Sequence, residues 1–373
     1  MKTLQIVPTI HNYDKCAEFC EDYKIGKGDL VITSKHTFSK FLEGKTGEAK
    51  VIFFRDYGSG EPTDTMVEKI YKAVGDYEYD RVIGIGGGSI LDVSKIFALE
   101  TISPVVKLFL KEIPAVRRCK LVLVPTTCGT GSEVTNVSIL TLTELKSKFG
   151  LAEDVNYAND AVLIPELLTD LPFEFFATSS IDAFIHAIES YLSPRASKMS
   201  EMFSLQAMQM ILKGYLKIAK EGPEARNAML EDFLYASLYA GVAFGHAGTG
   251  AVHAMSYPFS AAFHVAHGEA NYVFFSAVFK FYQKRKPQGK IEELNQFLAK
   301  QIGCAPDQVY EQLDALFGKL LLKKPLTEYG MKKEQIAPFT ENVIEKQQRL
   351  MRNTYFPMDA DMVSEIYTGL YEA

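Results

Sequence analysis

Asp182 and His186 stand four residues apart in the segment Ile181-Asp-Ala-Phe-Ile-His-Ala-Ile-Glu189. On a helix, residues at this spacing share a face. Apolar neighbours on both sides mark that face as buried. A buried carboxylate needs a partner or a metal to offset its desolvation. Two further histidines extend the set. His253 lies in a helical Gly-Ala-Val-His-Ala-Met stretch, and His267 closes His264-Val-Ala-His267, read as a loop. One aspartate and three histidines can ligate a divalent ion while leaving a position open to substrate. His246 and His264 fall in the same region, and spacing does not choose among the four histidines. For any single one of them, a hydrogen-bonded packing role is the plainer alternative.

These histidines occupy the least charged part of the chain. From Phe233 to Gly268 there is no Asp, Glu, Lys or Arg over 36 residues. The span is long enough to cross a membrane. Five glycines, Pro258 and four histidines interrupt it, and it reads as helix and loop inside a globular core.

A second chemistry is written in the first half. Arg81-Val-Ile-Gly-Ile-Gly-Gly-Gly-Ser-Ile-Leu-Asp-Val-Ser-Lys95 reads as strand, glycine turn and helix. Gly86, Gly87 and Gly88 let backbone approach a ligand and permit positive φ. The helix start behind them favours an anion such as a diphosphate. The spacing is not GxGxxG. Val124-Pro-Thr-Thr-Cys-Gly-Thr-Gly-Ser-Glu-Val-Thr135 also follows a strand. Its hydroxyls and amides suit ribose or phosphate oxygens. Cys128, with no histidine local to it, reads as a small packing residue.

The elements that must position these groups differ between the halves. Strands are predicted at 29–33, 49–54, 81–85 and 120–124, alternating with helices at 35–42, 63–74 and 90–98, the signature of a parallel sheet. Both turns then lie at carboxyl ends of strands, where such sheets bind ligands. Beyond residue 177, apolar residues recur at helical spacing over 202–215, 229–244, 291–302 and 305–321. We therefore expect an α/β dinucleotide-binding domain with a parallel sheet over residues 1–176. An all-α, metal-binding domain is expected over residues 177–373.

Composition narrows the class. The 373 residues carry 40 basic and 46 acidic side chains, a net charge of −6. Nucleic-acid binders are usually basic, so that class is set aside. Five cysteines with no CxxC pair argue against a disulfide framework and for a reducing, cytoplasmic setting. The N-terminus lacks the apolar run of a signal peptide, and no membrane partner is expected.

Taken together, GGGSILDVSK (86–95), PTTCGTGSEVT (125–135), the Asp182/His186 pair and the His253/His267 pair resemble the iron-containing, group III alcohol dehydrogenases. The resemblance runs in order along nearly the whole chain. It implies metal ligation by Asp182, His186, His253 and His267, the residues expected to be catalytic. It implies NAD as cofactor, with Fe²⁺ or Zn²⁺ as the ion. Gly87, Gly88 and Ser89 would take the diphosphate, Thr126, Thr127 and Thr130 would flank the nicotinamide half, and Lys148 would lie near a ribose. Within the family, GYLKIAKEG (214–222), HGEANYVFF (267–275), KPLTEYGMK (324–332) and VIEKQQRL (343–350) favour interconversion of 4-hydroxybutyrate and succinate semialdehyde. The alternatives are a primary-alcohol or diol dehydrogenase of this family and a dehydroquinate-synthase-like lyase. The implied assembly is a homo-oligomer, a dimer.

Two positions depart from the family pattern. Ser34 stands where many members carry an aspartate against the adenosine ribose, which loosens the preference for NAD over NADP. Tyr257 stands where many have a histidine, so a proton relay through that position does not carry over. For a substrate carboxylate the candidates are His246, His264, Tyr257 and Arg195.

Overall fold

The apolar runs at 29–33, 81–85 and 120–124 are buried on both faces, as parallel strands covered by helices must be. In the computed structural model, which describes residues 3–145 and 147–373, they become β2 (Asp29–Thr33), β4 (Arg81–Gly86) and β5 (Lys120–Pro125). With β1 (Thr9–Asn12), β3 (Lys50–Phe53) and β8 (Asp160–Leu163) they form one parallel sheet in the order β1-β8-β5-β4-β2-β3. The order reverses between β2 and β4, which makes their carboxyl ends the switch point where such sheets take ligands. In register, Thr33 pairs Ile85 and Gly86 pairs Pro125. The turns that follow these three strands therefore start side by side.

Several elements differ from the sequence expectation. β1 and β8 were not anticipated; each is four residues long and carries no strand-length alternation. An antiparallel ribbon, β6 (Val137–Leu142) with β7 (Ser147–Ala152), was also unforeseen. The predicted 35–42 helix is α-helical only over Lys35–Thr37 and widens to a π turn over Phe38–Leu42. The helix after the glycine turn starts at Gly88 rather than residue 90.

The chain divides into two compact units, residues 5–171 and residues 172–373, the latter joined by residues 3–4. The second is helical, as expected. Its centre is the Phe173–Leu192 helix, in which every residue from Ser180 to Leu192 is buried. A helix buried on all sides needs partners all round. Phe184 meets Phe275 and Phe317 edge-on, Tyr215 meets Phe317, and the Tyr215 hydroxyl donates to Ser180 Oγ at 2.7 Å. Around it lie the helices Lys198–Glu221, Leu230–Ala247, Ala251–Phe263 and His267–Arg285. The uncharged span supplies most of the Leu230–Ala247 helix, all of Ala251–Phe263 and the start of His267–Arg285. Among the described residues no helix is long and apolar enough to cross a membrane.

Candidate metal centre

Asp182, His186 and Glu189 project from one face of the Phe173–Leu192 helix, at i, i+4 and i+7. His253 sits in the first turn of the Ala251–Phe263 helix. That helix carries Pro258 and ends at His264 in the left-handed conformation, φ 54°. The chain then turns through Val265 and Ala266, and His267 opens the next helix instead of lying in a loop. A side chain on Gly268 would stand 2.4 Å from the carbonyl oxygen of Thr178. Glycine there lets the two helices close until His267 reaches Asp182.

The result is a cluster. One ligand atom from each of Asp182, His186, His253 and His267 lies within 4.8 Å of the others. The Nε2 atoms stand 4.0 Å (His186), 3.8 Å (His253) and 3.9 Å (His267) from the Asp182 oxygens. Those gaps are too long for hydrogen bonds. Ligand atoms held about 2.1 Å from one tetrahedral ion are about 3.4 Å apart, so the gaps to Asp182 would close by roughly half an ångström, and the widest gap in the set by more, around a metal. Asp182, His186 and His253 are buried, and His267 is partly exposed, which keeps one side open. Burial alone would raise the Asp182 pKa; His186, His267, His253 and the Asn271 amide outweigh it and hold it below its ordinary value. His246 and His264 lie outside this cluster. The His246 ring is bound to the carbonyl of Val242 at 3.0 Å. Tyr257 flanks the cluster, its ring centre 5.7 Å from that of His267.

Two residues that the sequence reading passed over complete the centre. Glu189 binds His253 from behind: its Oε2 accepts from Nδ1 at 2.6 Å, and its Oε1 accepts the Val252 amide at 2.6 Å. Asn271 Nδ2 donates to Asp182 Oδ1 at 2.7 Å and lies 3.1 Å from Nε2 of both His253 and His267. Two amide hydrogens face three acceptors there, a surplus of lone pairs that suits a cation. Helical spacing was the available signal: Glu189 is three residues beyond His186, and Asn271 four beyond His267.

Ser34 and the two glycine-containing turns sit at the carboxyl ends of β2, β4 and β5. Ser34 caps the short helix after β2, its Oγ accepting the Thr37 amide at 3.0 Å. Gly87 is the N-cap of the Gly88–Phe97 helix, and Ser89 lies in its first turn. The three glycines of this turn do not take positive φ, contrary to expectation; Gly131 in the second turn does, at 56°. What excludes a side chain at Gly88 is proximity: a Cβ there would be 2.6 Å from Thr130 Cγ2, while at Gly87 it would be 3.3 Å from Thr127 Cγ2. The two turns thus pack on each other, and the Thr126 amide donates to the Gly86 carbonyl at 3.0 Å. Cys128 is fully buried between them. Lys148, on β7, is ion-paired with Glu61 at 2.7 Å.

A buried polar network braces these turns from below. Lys95 Nζ donates to Ser132 Oγ and to the Val137 carbonyl, both at 2.7 Å, and Ser132 Oγ donates to Asp92 Oδ1 at 2.6 Å. Burial pulls the Lys95 ammonium down to about 8 despite Asp92 and Glu133 nearby. Burial pushes the Glu133 carboxyl up to about 7.

Residues 7–165 match the family model of the iron-containing alcohol dehydrogenases, and residues 176–371 match that of the Fe-containing alcohol dehydrogenase family, C-terminal. This chain belongs to the iron-containing alcohol dehydrogenase family. It is thus an oxidoreductase of the metal-containing alcohol dehydrogenase class, and the lyase alternative is set aside. The 4-hydroxybutyrate dehydrogenase of Clostridium kluyveri is 46% identical over 371 residues, spanning 100% of both chains. Long-chain-alcohol dehydrogenase 1 of Geobacillus thermodenitrificans is 29% identical over 324 residues, 84% of this chain and 79% of that one. Among solved structures, sulfoacetaldehyde reductase from Bifidobacterium kashiwanohense in complex with NAD+ superposes with a TM-score of 0.86 at 24% identity, covering 100% of this chain and 99% of the other.

Proposed function

We propose that the protein is a cytoplasmic, homodimeric NAD(H)-dependent dehydrogenase that interconverts 4-hydroxybutyrate and succinate semialdehyde. The observation that carries the reaction class is the Asp182, His186, His253 and His267 set, buried except at His267. Its nitrogen and oxygen donors fit Fe²⁺, and also Zn²⁺. The substrate rests on the full-length identity to the Clostridium kluyveri enzyme.

When bound, the ion supplies Lewis acidity to the substrate oxygen and the nicotinamide supplies or accepts the hydride. The chain's own residues do the rest. Asp182 and the three histidines hold the ion, Glu189 fixes the ring of His253, and Asn271 holds the Asp182 carboxylate in place. The amides at the start of the Gly88–Phe97 helix receive the diphosphate. Gly87, Gly88 and Ser89 leave room for it, and Thr126, Thr127 and Thr130 offer hydroxyls to the nicotinamide half. Lys148 reaches a ribose by exchanging Glu61 for it.

The test is a panel of aldehydes, succinate semialdehyde, butanal and 3-hydroxypropanal among them, with NADH and NADPH after reconstitution with Fe²⁺ or Zn²⁺. The highest kcat/KM is expected for succinate semialdehyde with NADH. A preference for butanal or for 3-hydroxypropanal would move the protein to the primary-alcohol or diol dehydrogenases of the same family.

A further inference from the structure

The His267–Arg285 helix does more than carry His267 and Asn271. Past Asn271 it turns a second face to a groove of about 580 Å³, which none of the metal-centre residues lines. Val273, Ala277 and Phe281 recur at i, i+4 and i+8 and form an apolar stripe along the floor. Ser276, Lys280 and Lys284 recur in the same way and form a polar stripe beside it. From Val273 to Lys284 the helix advances about 16 Å. A groove of that volume falls within the range of small-molecule sites.

Both walls belong to the same helical unit. One is Asp314 with residues 323–326; the other is the Ala360–Glu372 helix and its end, through Ile366, Gly369, Leu370 and Ala373. Four ammonium groups line the groove against two side-chain carboxylates, and both carboxylates are shared. Asp314 lies 3.4 Å from Lys323 Nζ and 3.7 Å from Lys280 Nζ, which also meets Glu311 outside the groove at 3.1 Å. Glu365 lies 3.6 Å from Lys284 and is held closer, at 2.5 Å, by Arg285. Lys323 Nζ donates to Ser276 Oγ at 2.8 Å. Burial holds the Lys323 ammonium below its ordinary value despite Asp314, and the charge of Lys280 adds to the effect. Lys324 meets no carboxylate among the described residues; its Nζ is 5.8 Å from the ring centre of Tyr329. Like charges short of counter-ions are an unfavourable arrangement that an anion relieves.

Gly369 points the same way. It stands inside the Ala360–Glu372 helix, where glycine is the least favourable residue after proline. Its backbone is not left-handed, and a Cβ there would meet nothing within 4 Å. Neither conformation nor packing within the chain calls for glycine; its effect is to leave the wall of the groove open. We propose that the groove binds an amphipathic anion, its apolar chain laid along Val273, Ala277 and Phe281 and its single charged head at Lys323 and Lys324. Lysine offers such a head a compact point charge, and each methylene removed from water adds to the binding. Fatty carboxylates and alkyl phosphates share this chemistry.

The experiment titrates decanoate, decyl phosphate, decan-1-ol and acetate calorimetrically into the metal-loaded enzyme saturated with NADH, as wild type, Gly369→Leu and Lys324→Met. Leucine at 369 enters open space, so it fills the groove without disturbing the helix. Both variants should melt cooperatively and keep the wild-type metal content, since neither position touches the metal centre. Decanoate or decyl phosphate should bind wild type saturably, at least tenfold more tightly than decan-1-ol or acetate, and the tighter of the two names the head group. Gly369→Leu should weaken that binding at least tenfold. Lys324→Met should remove most of the advantage of the anion over decan-1-ol. No saturable binding of either anion to wild type would overturn the proposal. Affinities within twofold of wild type in both variants would overturn it too, by placing the anion elsewhere on the protein.

Discussion

Glu189 and His253 share a hydrogen bond of 2.6 Å in which both side chains are almost wholly removed from solvent. The Asn271 amide nitrogen, a donor only, faces His253 Nε2 at 3.1 Å, so the proton of the imidazole belongs on Nδ1 and the Nε2 lone pair is left facing Asp182, His186 and His267. The ring is thereby set for metal before any metal arrives. Glu189→Gln keeps the shape of the side chain but removes this enforced acceptor. We expect metal affinity to fall between about 10- and 100-fold, with the helical circular dichroism unchanged. Chelator competition measures the first. For contrast, His267→Ala or Asp182→Ala removes a donor outright, and elemental analysis should find those variants depleted of metal.

Gly88→Val tests the glycine turn. A branched side chain at that position collides with Thr130, which a Cβ alone would approach to 2.6 Å, and it fills the space in front of the helix amides. NADH titrated by its fluorescence should bind at least tenfold more weakly, while the metal content stays at the wild-type level. Equal NADH affinity in the two proteins would reduce the segment to a plain strand-to-helix connection.

Ser34→Asp tests the cofactor choice. Aspartate caps helices as well as serine does, so the bond to the Thr37 amide survives and only a charge is added. Like charges about 4 Å apart repel by about 1 kcal/mol in bulk water and more near a protein surface. The NADH over NADPH ratio of kcat/KM should rise roughly tenfold, from a wild type that prefers NADH yet still turns over NADPH. An unchanged ratio would place Ser34 away from the adenosine ribose.

Glu133 sets a pH dependence. Its carboxyl goes from an ordinary 4.5 to about 7 because it is buried, and its Oε2 has no hydrogen-bond partner. A carboxyl with the higher pKa in the folded chain holds its proton longer there than in the unfolded chain. Its contribution to stability therefore falls as pH rises from about 4.5 and levels off above about 7, a loss on the order of 3 kcal/mol. Glu133→Gln should melt close to wild type at pH 5 and several degrees above it at pH 8. Melting curves at the two pH values decide this; a variant less stable than wild type at pH 8 would contradict it.

The sequence told most about the residues that must be of one chemical type. An aspartate and a histidine four apart in an apolar helix, and histidines within an uncharged span, are visible without coordinates because burial makes polar groups rare there. Glu189 and Asn271 obey the same helical spacing and were missed because neither is conspicuous as a ligand. They touch Asp182, His253 and His267 rather than joining the set, and only the folded contacts show it. Strands β2, β4 and β5 were legible as apolar runs since both of their faces are covered. β1 and β8 were not, because four residues carry too little pattern. The alternating burial along β6 was present and went unread. At Gly86 to Gly88 the positive φ that glycine permits is not used: crowding by Thr127, Thr130 and Ile90 excludes side chains there.

The edge of the sheet carries a consequence for synthesis. Among the described residues β1 pairs with β8 alone, and His11 meets Asp160 across 149 residues of chain. Until that late segment has left the ribosome, the first strand has nothing to pair with, while β2 through β5 can already assemble on one another. The order of emergence thus separates the unit of residues 5–171 into an early nucleus and a late seam, and contacts so distant in sequence close slowly. A nascent chain stopped before residue 160 should hold its central strands against protease and surrender its first dozen residues.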